Sequence, residues 1–177
     1  FRGKRLLVRI SNTFMGLPPV VAGLVVFLLL SRSGPLGELQ LLYSVAAMVI
    51  AQVILITPIV TSLTAAIVAA RWPQIHETAS GMGMSDKKQL LYTVYEVRGQ
   101  LISVVLTGFG RAISEVGAVQ IVGGNIQFKT RVMTTAIMMV TNMGQFHFAV
   151  ALGLVLLLIA FVINTVAQRL DGGTKKL

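Results

Sequence analysis

Long apolar stretches separated by short polar segments constrain this chain more than any other feature of its sequence. A helix needs about 20 mostly apolar residues to cross the hydrocarbon core of a bilayer. Four stretches approach or exceed this length, at residues 14–30, 41–70, 101–122 and 148–167. Charged residues make up 12% of the chain, about half the share of a soluble domain. The sequence therefore predicts an all-α membrane protein with four transmembrane helices.

Prolines and polar residues modify these four stretches. Pro18 and Pro19 fall near the beginning of the first one, where a missing N–H costs least. Pro58 lies inside the second and predicts a kink there. Residues 123–147 are too polar to span, but they contain an apolar run at 132–140. This run predicts a short helix that lies on the membrane or dips into it, packed against protein.

The basic residues mark one side of the membrane. Eleven lysines and arginines flank the stretches on one side and three on the other, and cytoplasmic segments carry the excess of such residues. We therefore predict that both ends of the chain and the loop at 71–100 are cytoplasmic. The same distribution accounts for the net charge of +9, so no nucleic-acid partner is predicted. The larger group consists of Arg2, Lys4, Arg5, Arg9, Arg71, Lys87, Lys88, Arg98, Arg169, Lys175 and Lys176, and the smaller group of Arg32, Lys129 and Arg131.

The loop at 71–100 is the longest polar part of the chain. Pro73 is typical of a first helical turn, so a short helix is predicted over residues 74–80. Gly81 and Gly83 would end it. Such a segment is either a solvated connector or a helix-turn-helix that docks on a cytoplasmic partner.

A second helix is predicted to begin in this loop after Ser85. Serine is a favoured N-cap residue, and Asp86 in the first turn complements the helix dipole. Apolar residues then recur at helical spacing and predict the face that packs, namely Leu90, Leu91, Val94 and Val97.

The third apolar stretch carries two charged residues, Arg111 and Glu115. Four residues apart, they would share one helix face and pair, and Thr107 extends that face by one turn. A charge inside a membrane is costly and usually has a role. In one interpretation Arg111 faces an anion path, with Glu115 orienting its guanidinium group. In the other, the two form an ion pair that locks helices at a dimer seam.

Residues suited to catalysis or metal binding are sparse. His76 and His147 have no Asp, Glu or His at ligand spacing, and the chain contains no Cys. The six acidic residues are scattered and suggest no paired carboxylates. We therefore predict no catalytic, cofactor or metal site on this chain.

Two motifs resemble a known family. Residues 77–85 read ETASGMGMS and resemble the EAA loop of binding-protein-dependent ABC importer permeases, whose core reads roughly E-A-A-x-x-L-G-A-S. Residues 108–126 read GFGRAISEVGAVQIVGGNI and resemble the signature of oxyanion permeases. Molybdate and sulfate permeases tend to carry an aromatic residue where this chain has Val116. With Gly-Gly-Asn at 123–125, the motif is most similar to that of tungstate permeases.

This resemblance implies a fold and a set of partners. The fold would be the MetI-like ABC importer permease core, as a single transmembrane domain over residues 1–177 with a further transmembrane helix ahead of Phe1. The expected partners are a second copy of the chain, a cytoplasmic ABC ATPase dimer that holds ATP and Mg, and an extracytoplasmic tungstate-binding protein. The chain lacks the phosphate-binding motif G-x-x-x-x-G-K-[ST], so it is not expected to be an enzyme. The expected location is the cell inner membrane.

The resemblance also assigns roles to residues. Residues 71–100 would form the coupling loop that engages the ATPase, in which Thr78 stands where the family has Ala. The coupling residues would be Glu77, Thr78, Ala79, Gly81, Gly83 and Ser85, and the substrate path would include Thr107, Arg111 and Glu115. The implied function is ATP-driven tungstate import, with molybdate or sulfate as alternative cargo. A passive anion channel is the alternative from another class, because it would need neither the loop nor ATP.

Overall fold

The computed structural model describes residues 3–172, and within that range every regular element is helical. The chain begins with α1 (Lys4–Phe14) and α2 (Pro19–Leu30), followed by a 3-10 turn at Gly37–Leu39. The remaining elements are α3 (Val45–Gly81), α4 (Asp86–Glu96), α5 (Arg98–Ile113), α6 (Gly117–Gly123), α7 (Met133–Asn142) and α8 (Phe146–Gly172). Arg2, Lys175 and Lys176, which contribute to the predicted orientation, lie outside the described residues.

Two described helices are long and apolar enough to cross a membrane unbroken, α3 and, over Phe146–Arg169, α8. The other two predicted spans are bent pairs. Helices α1 and α2 meet at 108°, and α5 and α6 meet at 55°. The count of four spans therefore holds only if each bent pair crosses as one unit. The expectation of continuous helices over 14–30 and 101–122 is wrong.

The break between α1 and α2 follows from the two adjacent prolines. A residue that precedes proline is disfavoured in the helical conformation, and this applies to both Leu17 and Pro18. Pro18 is extended, with φ −62° and ψ 128°, and Pro19 is the first residue of α2. The first apolar stretch therefore becomes a helix of 12 residues, which starts at Pro19 instead of residue 14.

Helix α3 is longer than its apolar stretch predicts. It continues through Pro58 and Pro73 without interruption for 37 residues, or roughly 55 Å. The predicted separate helix over 74–80 is therefore wrong, since those residues form the last turns of α3. Pro73 removes one helical hydrogen bond, but it lies in an exposed part of the helix, where water reaches the carbonyl left without a donor.

The tightest packing joins α2, α3 and α6. Ala47, Ala51 and Ala118 are fully buried there. Gly23 on α2 faces Ala118 on α6 so closely that a Cβ atom at Gly23 would lie 2.7 Å from the Ala118 Cα. Small residues of this kind let helix backbones approach within membranes.

The polar segment between α6 and α8 contains the predicted short helix, now observed as α7. Its ten residues span roughly 15 Å, which is too short to cross a bilayer. Helix α7 packs along α8, and its Thr135 and Val140 are buried. The chain then turns at Gly144, whose φ is +75°.

Candidate functional site

The predicted coupling loop at 71–100 forms a helix-turn-helix. The end of α3 supplies the first helix and α4 the second, and residues 82–85 connect them. The predicted start of the second helix at Asp86 is confirmed. Ser85 occupies its N-cap position as predicted, but the Ser85 side chain makes no capping hydrogen bond.

The turn between these helices depends on Gly83. Its φ is +67°, in the left-handed region that side chains disfavour. The Gly83 N–H donates to the Ser80 carbonyl at 3.0 Å, and the Met84 N–H donates to the Ala79 carbonyl at 3.0 Å. These two bonds form a Schellman motif, in which glycine ends the helix and reverses the chain.

The expected coupling residues lie mostly on the outer surface of the turn. Glu77, Thr78, Gly81, Gly83 and Ser85 are exposed. The Thr78 hydroxyl donates to the Gln74 carbonyl of its own helix at 3.0 Å. No heavy atom lies within 4 Å of the position that a Cβ would take at Gly81 or Gly83. The described chain therefore leaves this side of the turn open to a partner.

Ala79 differs from its neighbours in the motif. It is 1% exposed and lies on the side of α3 that faces α4. A small side chain at this position lets the two helices approach each other just before the turn. Its role is thus to shape the turn, whereas the exposed residues around it form the surface.

Gln89 joins the two arms of the helix-turn-helix, and no sequence pattern singles it out. The side chain is 3% exposed. Its Oε1 lies 2.8 Å from His76 Nδ1 in a hydrogen bond, and its Nε2 donates to the Met84 carbonyl at 2.9 Å. His76 also stacks on Trp72, with ring centroids 5.2 Å apart. His76 thus supports the turn, a role that metal-ligand spacing could not suggest.

The packed face of α4 is not the predicted one. Gln89, Thr93 and Val97, four residues apart, face the rest of the chain and are buried. Of the predicted apolar face only Val97 packs, and Leu91 is 71% exposed. The helix therefore directs an apolar surface outward, consisting of Leu90, Leu91, Val94 and Tyr95.

Arg111 and Glu115 do not form the predicted pair. Helix α5 ends at Ile113 and α6 begins at Gly117, so Glu115 lies in the break and not on the helix face of Arg111. Arg111 is exposed and Glu115 is 5% exposed. Between these two described side chains there is no ion pair, because the Glu115 carboxylate is directed into the protein.

Glu115 instead satisfies backbone groups at the break. Its Oε1 accepts the Ala118 N–H at 3.0 Å, which caps the first turn of α6. The Thr134 hydroxyl of α7 donates to the Glu115 carbonyl at 3.0 Å. On the other side of the break, Gln52 Nε2 of α3 donates to the Ala112 carbonyl at 3.1 Å. A cavity of about 280 Å³ adjoins the break and is lined in part by Gln52, Glu115 and Thr134.

Thr107 and Arg111 remain together on one face of α5. They lie one turn apart, and both are exposed. The Thr107 hydroxyl donates to the Ser103 carbonyl at 2.8 Å, so its oxygen retains acceptor capacity toward the outside. Of the three residues expected along a substrate path, the structure thus groups two and separates Glu115 from them.

Within 3–172, no group of three His, Cys, Asp or Glu side chains is arranged to hold a metal ion.

Comparison with known proteins is consistent with this architecture. A family model described as "Binding-protein-dependent transport system inner membrane component" matches residues 1–176. The chain belongs to this family. The prediction of an all-α membrane permease core is therefore confirmed, and the chain is a multi-pass membrane component of a transport system.

Individual relatives cover nearly the whole chain. The tungstate uptake system permease protein TupB of Peptoclostridium acidaminophilum is 46% identical over 171 residues, which are 97% of this chain and 75% of the relative. The protein of the same name from Campylobacter jejuni is 41% identical over 170 residues, 96% of this chain and 71% of the relative. A probable anion ABC transporter permease protein of Haloferax volcanii is 40% identical over 174 residues, 96% of this chain and 75% of the relative.

The capping role of Glu115 generates a test that separates its hydrogen bond from its charge. Glu115→Gln keeps an acceptor oxygen for the Ala118 N–H, so we expect thermal stability close to that of the unmodified protein. Glu115→Leu leaves that buried N–H without a partner and should lower the free energy of unfolding by about 1–2 kcal/mol. Thermal unfolding of the purified protein measures both. The exposed Glu38, changed to Gln and to Leu, is the control. Equal damage from Gln and Leu at 115 would show that charge, not hydrogen bonding, is what matters.

Proposed function

We propose that this chain is the membrane-spanning permease subunit of an ABC importer that takes up tungstate, driven by ATP hydrolysis on a separate subunit. The observation that carries the proposal is the identity of more than 40% to two proteins named as tungstate uptake permeases, over almost the whole chain. Residues 108–126 add support, because their motif is most similar to that of tungstate permeases.

The proposed assembly contains two copies of this chain and a cytoplasmic ATPase dimer that holds ATP and Mg. An extracytoplasmic binding protein delivers tungstate to the pair. The complex lies in the inner membrane with both ends of this chain in the cytoplasm, since the basic residues concentrate on that side.

Coupling to the ATPase is proposed to occur at the helix-turn-helix. The exposed Glu77, Thr78 and Gly81 would enter a groove on the ATPase, and closure of the ATPase dimer would draw the two turns together. Helix α3 runs unbroken from this turn to Val45, so displacement of the turn moves the whole helix. Gln89 ties α4 to the same turn, so that α4 and α5 follow. The outward-facing state is reached when both copies move in this way.

The substrate path is proposed to run along the α5 face that carries Thr107 and Arg111. A guanidinium group that faced lipid would be costly, so the exposed side of Arg111 requires water or a polar partner in the assembly. A water-filled path that carries a dianion meets this requirement, and a planar guanidinium donates two hydrogen bonds to a tetrahedral oxyanion. Glu115 contributes by holding the break in place.

The cargo is tested by transport in proteoliposomes that contain this chain, its ATPase and its binding protein. We expect ATP-dependent accumulation of labelled tungstate. An excess of unlabelled tungstate should suppress this accumulation more than the same excess of molybdate or sulfate. Stronger suppression by molybdate or sulfate would reassign the cargo. Uptake that proceeds equally without ATP would support the passive channel instead.

The coupling turn is tested by reversing the charge of Glu77. Glu77→Lys should abolish ATP-driven uptake and reduce co-purification of the ATPase, because an exposed docking residue would then repel its groove. Glu38→Lys makes the same charge change at an exposed residue outside the loop at 71–100 and is the control. Normal uptake in Glu77→Lys, or equal loss in both variants, would contradict a specific docking role for Glu77.

The path is tested by removing the charge of Arg111. Arg111→Met should lower uptake at least tenfold, because the loss of one charged hydrogen-bond donor costs about 1.5–3 kcal/mol. The purified variant should still contain two copies of the chain and the ATPase. Arg111→Lys, which keeps the charge but not the planar fork, should retain part of the uptake. A dispersed dimer in Arg111→Met would instead indicate that Arg111 itself holds the two copies together and would contradict its role in the path.

A further inference from the structure

Helix α1 presents three different faces along its length. One face packs on α3, and its Ser11 is buried while Val8 is half-buried. The other two faces remain open in the described chain. They differ sharply in chemistry, and the proposed function makes use of neither.

The first open face is apolar. Leu7, Ile10 and Phe14 recur at the three- and four-residue spacing of one helix face, and Leu6 lies one turn before Ile10. All four are exposed, with Leu6 at 64% and Leu7 at 52%. Four exposed large apolar residues on an 11-residue helix form a surface that water does not favour.

The second open face is basic and polar. Arg5, Arg9 and Asn12 follow the i, i+4, i+7 spacing of one helix face, and all three are exposed. The sequence contains no Asp or Glu before Glu38, so no acidic residue of the same segment offsets these arginines. The charge of this face is therefore complementary to an anionic surface.

The direction of α1 fits a membrane surface. The helix makes an angle of 108° with α2, and α2 packs alongside α3 and α6. Phe14 lines a cavity together with Thr57 and Pro58 of α3. Helix α1 thus lies steeply inclined to α2, which is the direction expected of a helix that lies along a membrane through which α2 passes.

We propose that α1 is an interfacial helix that binds anionic phospholipids of the cytoplasmic leaflet. Leu6, Leu7, Ile10 and Phe14 insert among the acyl chains, and Arg5 and Arg9 contact the phosphate headgroups. An apolar face beside a basic face is the arrangement by which helices lie in the membrane interface. This proposal rests on membership of a membrane permease family and, for the choice of leaflet, on the orientation proposed above, but not on the identity of the transported anion.

The orientation of α1 is tested with single spin labels, since the chain contains no Cys. Leu7→Cys and Asn12→Cys are labelled separately in the complete permease–ATPase complex in lipid nanodiscs. We expect oxygen, which partitions into lipid, to relax the label at 7 more strongly, and a water-soluble nickel complex to relax the label at 12. Two water-exposed labels, or a label at 7 shielded from both reagents by a protein partner, would overturn the proposal.

Headgroup binding is tested on the same complex with phosphatidylglycerol as the probe. The complex is purified from nanodiscs of phosphatidylcholine with and without phosphatidylglycerol. The phosphatidylglycerol that stays bound to the complex is then measured by mass spectrometry. Each of Arg5→Gln and Arg9→Gln should weaken retention about fivefold. The control, Lys87→Gln with Lys88→Gln, removes two exposed charges from α4 and should leave retention unchanged. Equal loss in the control, or retention unaffected by the arginine variants, would contradict the assignment.

Discussion

The fold depends on satisfying backbone hydrogen bonds where its helices break. Inside a bilayer no water replaces a lost helical bond, so irregular backbone survives there only if the protein supplies the partners. The break at residues 114–116 meets this condition with side chains from its own loop, α3 and α7, namely Glu115, Gln52 and Thr134. After α6, Thr130 serves similarly, since its hydroxyl accepts the Ile126 N–H and donates to the Gly123 carbonyl. These polar residues, in and beside the apolar stretches, thus have structural roles.

Breaks of this kind allow short helices to pack closely around a long one. Helices α2 and α6 meet at Gly23 and Ala118, and Gly108 brings α5 close to Ile56 and Val60 of α3. Helix α3 extends from this packed region to the turn at Gly83, and α4 and α5 return from the turn to the same region. The turn at Gly83 is therefore connected to the packed region by two helical segments, α3 on one side and α4 with α5 on the other.

Much of this architecture could be predicted from local patterns. The length of the apolar stretches locates α3 and α8. Gly83 predicts the turn because glycine adopts a positive φ more readily than other residues. The break between α5 and α6 was not predictable in this way, because the four-residue spacing of Arg111 and Glu115 is equally compatible with one continuous helix. Pro73 is a similar case, since the residues around a proline do not distinguish a first helical turn from the interior of an exposed helix. The packed face of α4 depends on the contact between Gln89 and His76, 13 residues apart, which no periodic pattern contains.

The separation of Arg111 from Glu115 changes the electrostatics of the proposed path. A carboxylate beside the guanidinium would cancel most of its attraction for an anion, because opposite charges in contact nearly neutralise each other at a distance. With Glu115 directed toward Ala118, the guanidinium on the open face of α5 is not paired with that carboxylate. In an assembly of two copies, a passing dianion would meet two such charges, which match its own charge. On the proposed water-filled path, water would compete for the donors of each arginine, so the anion would be attracted without being trapped.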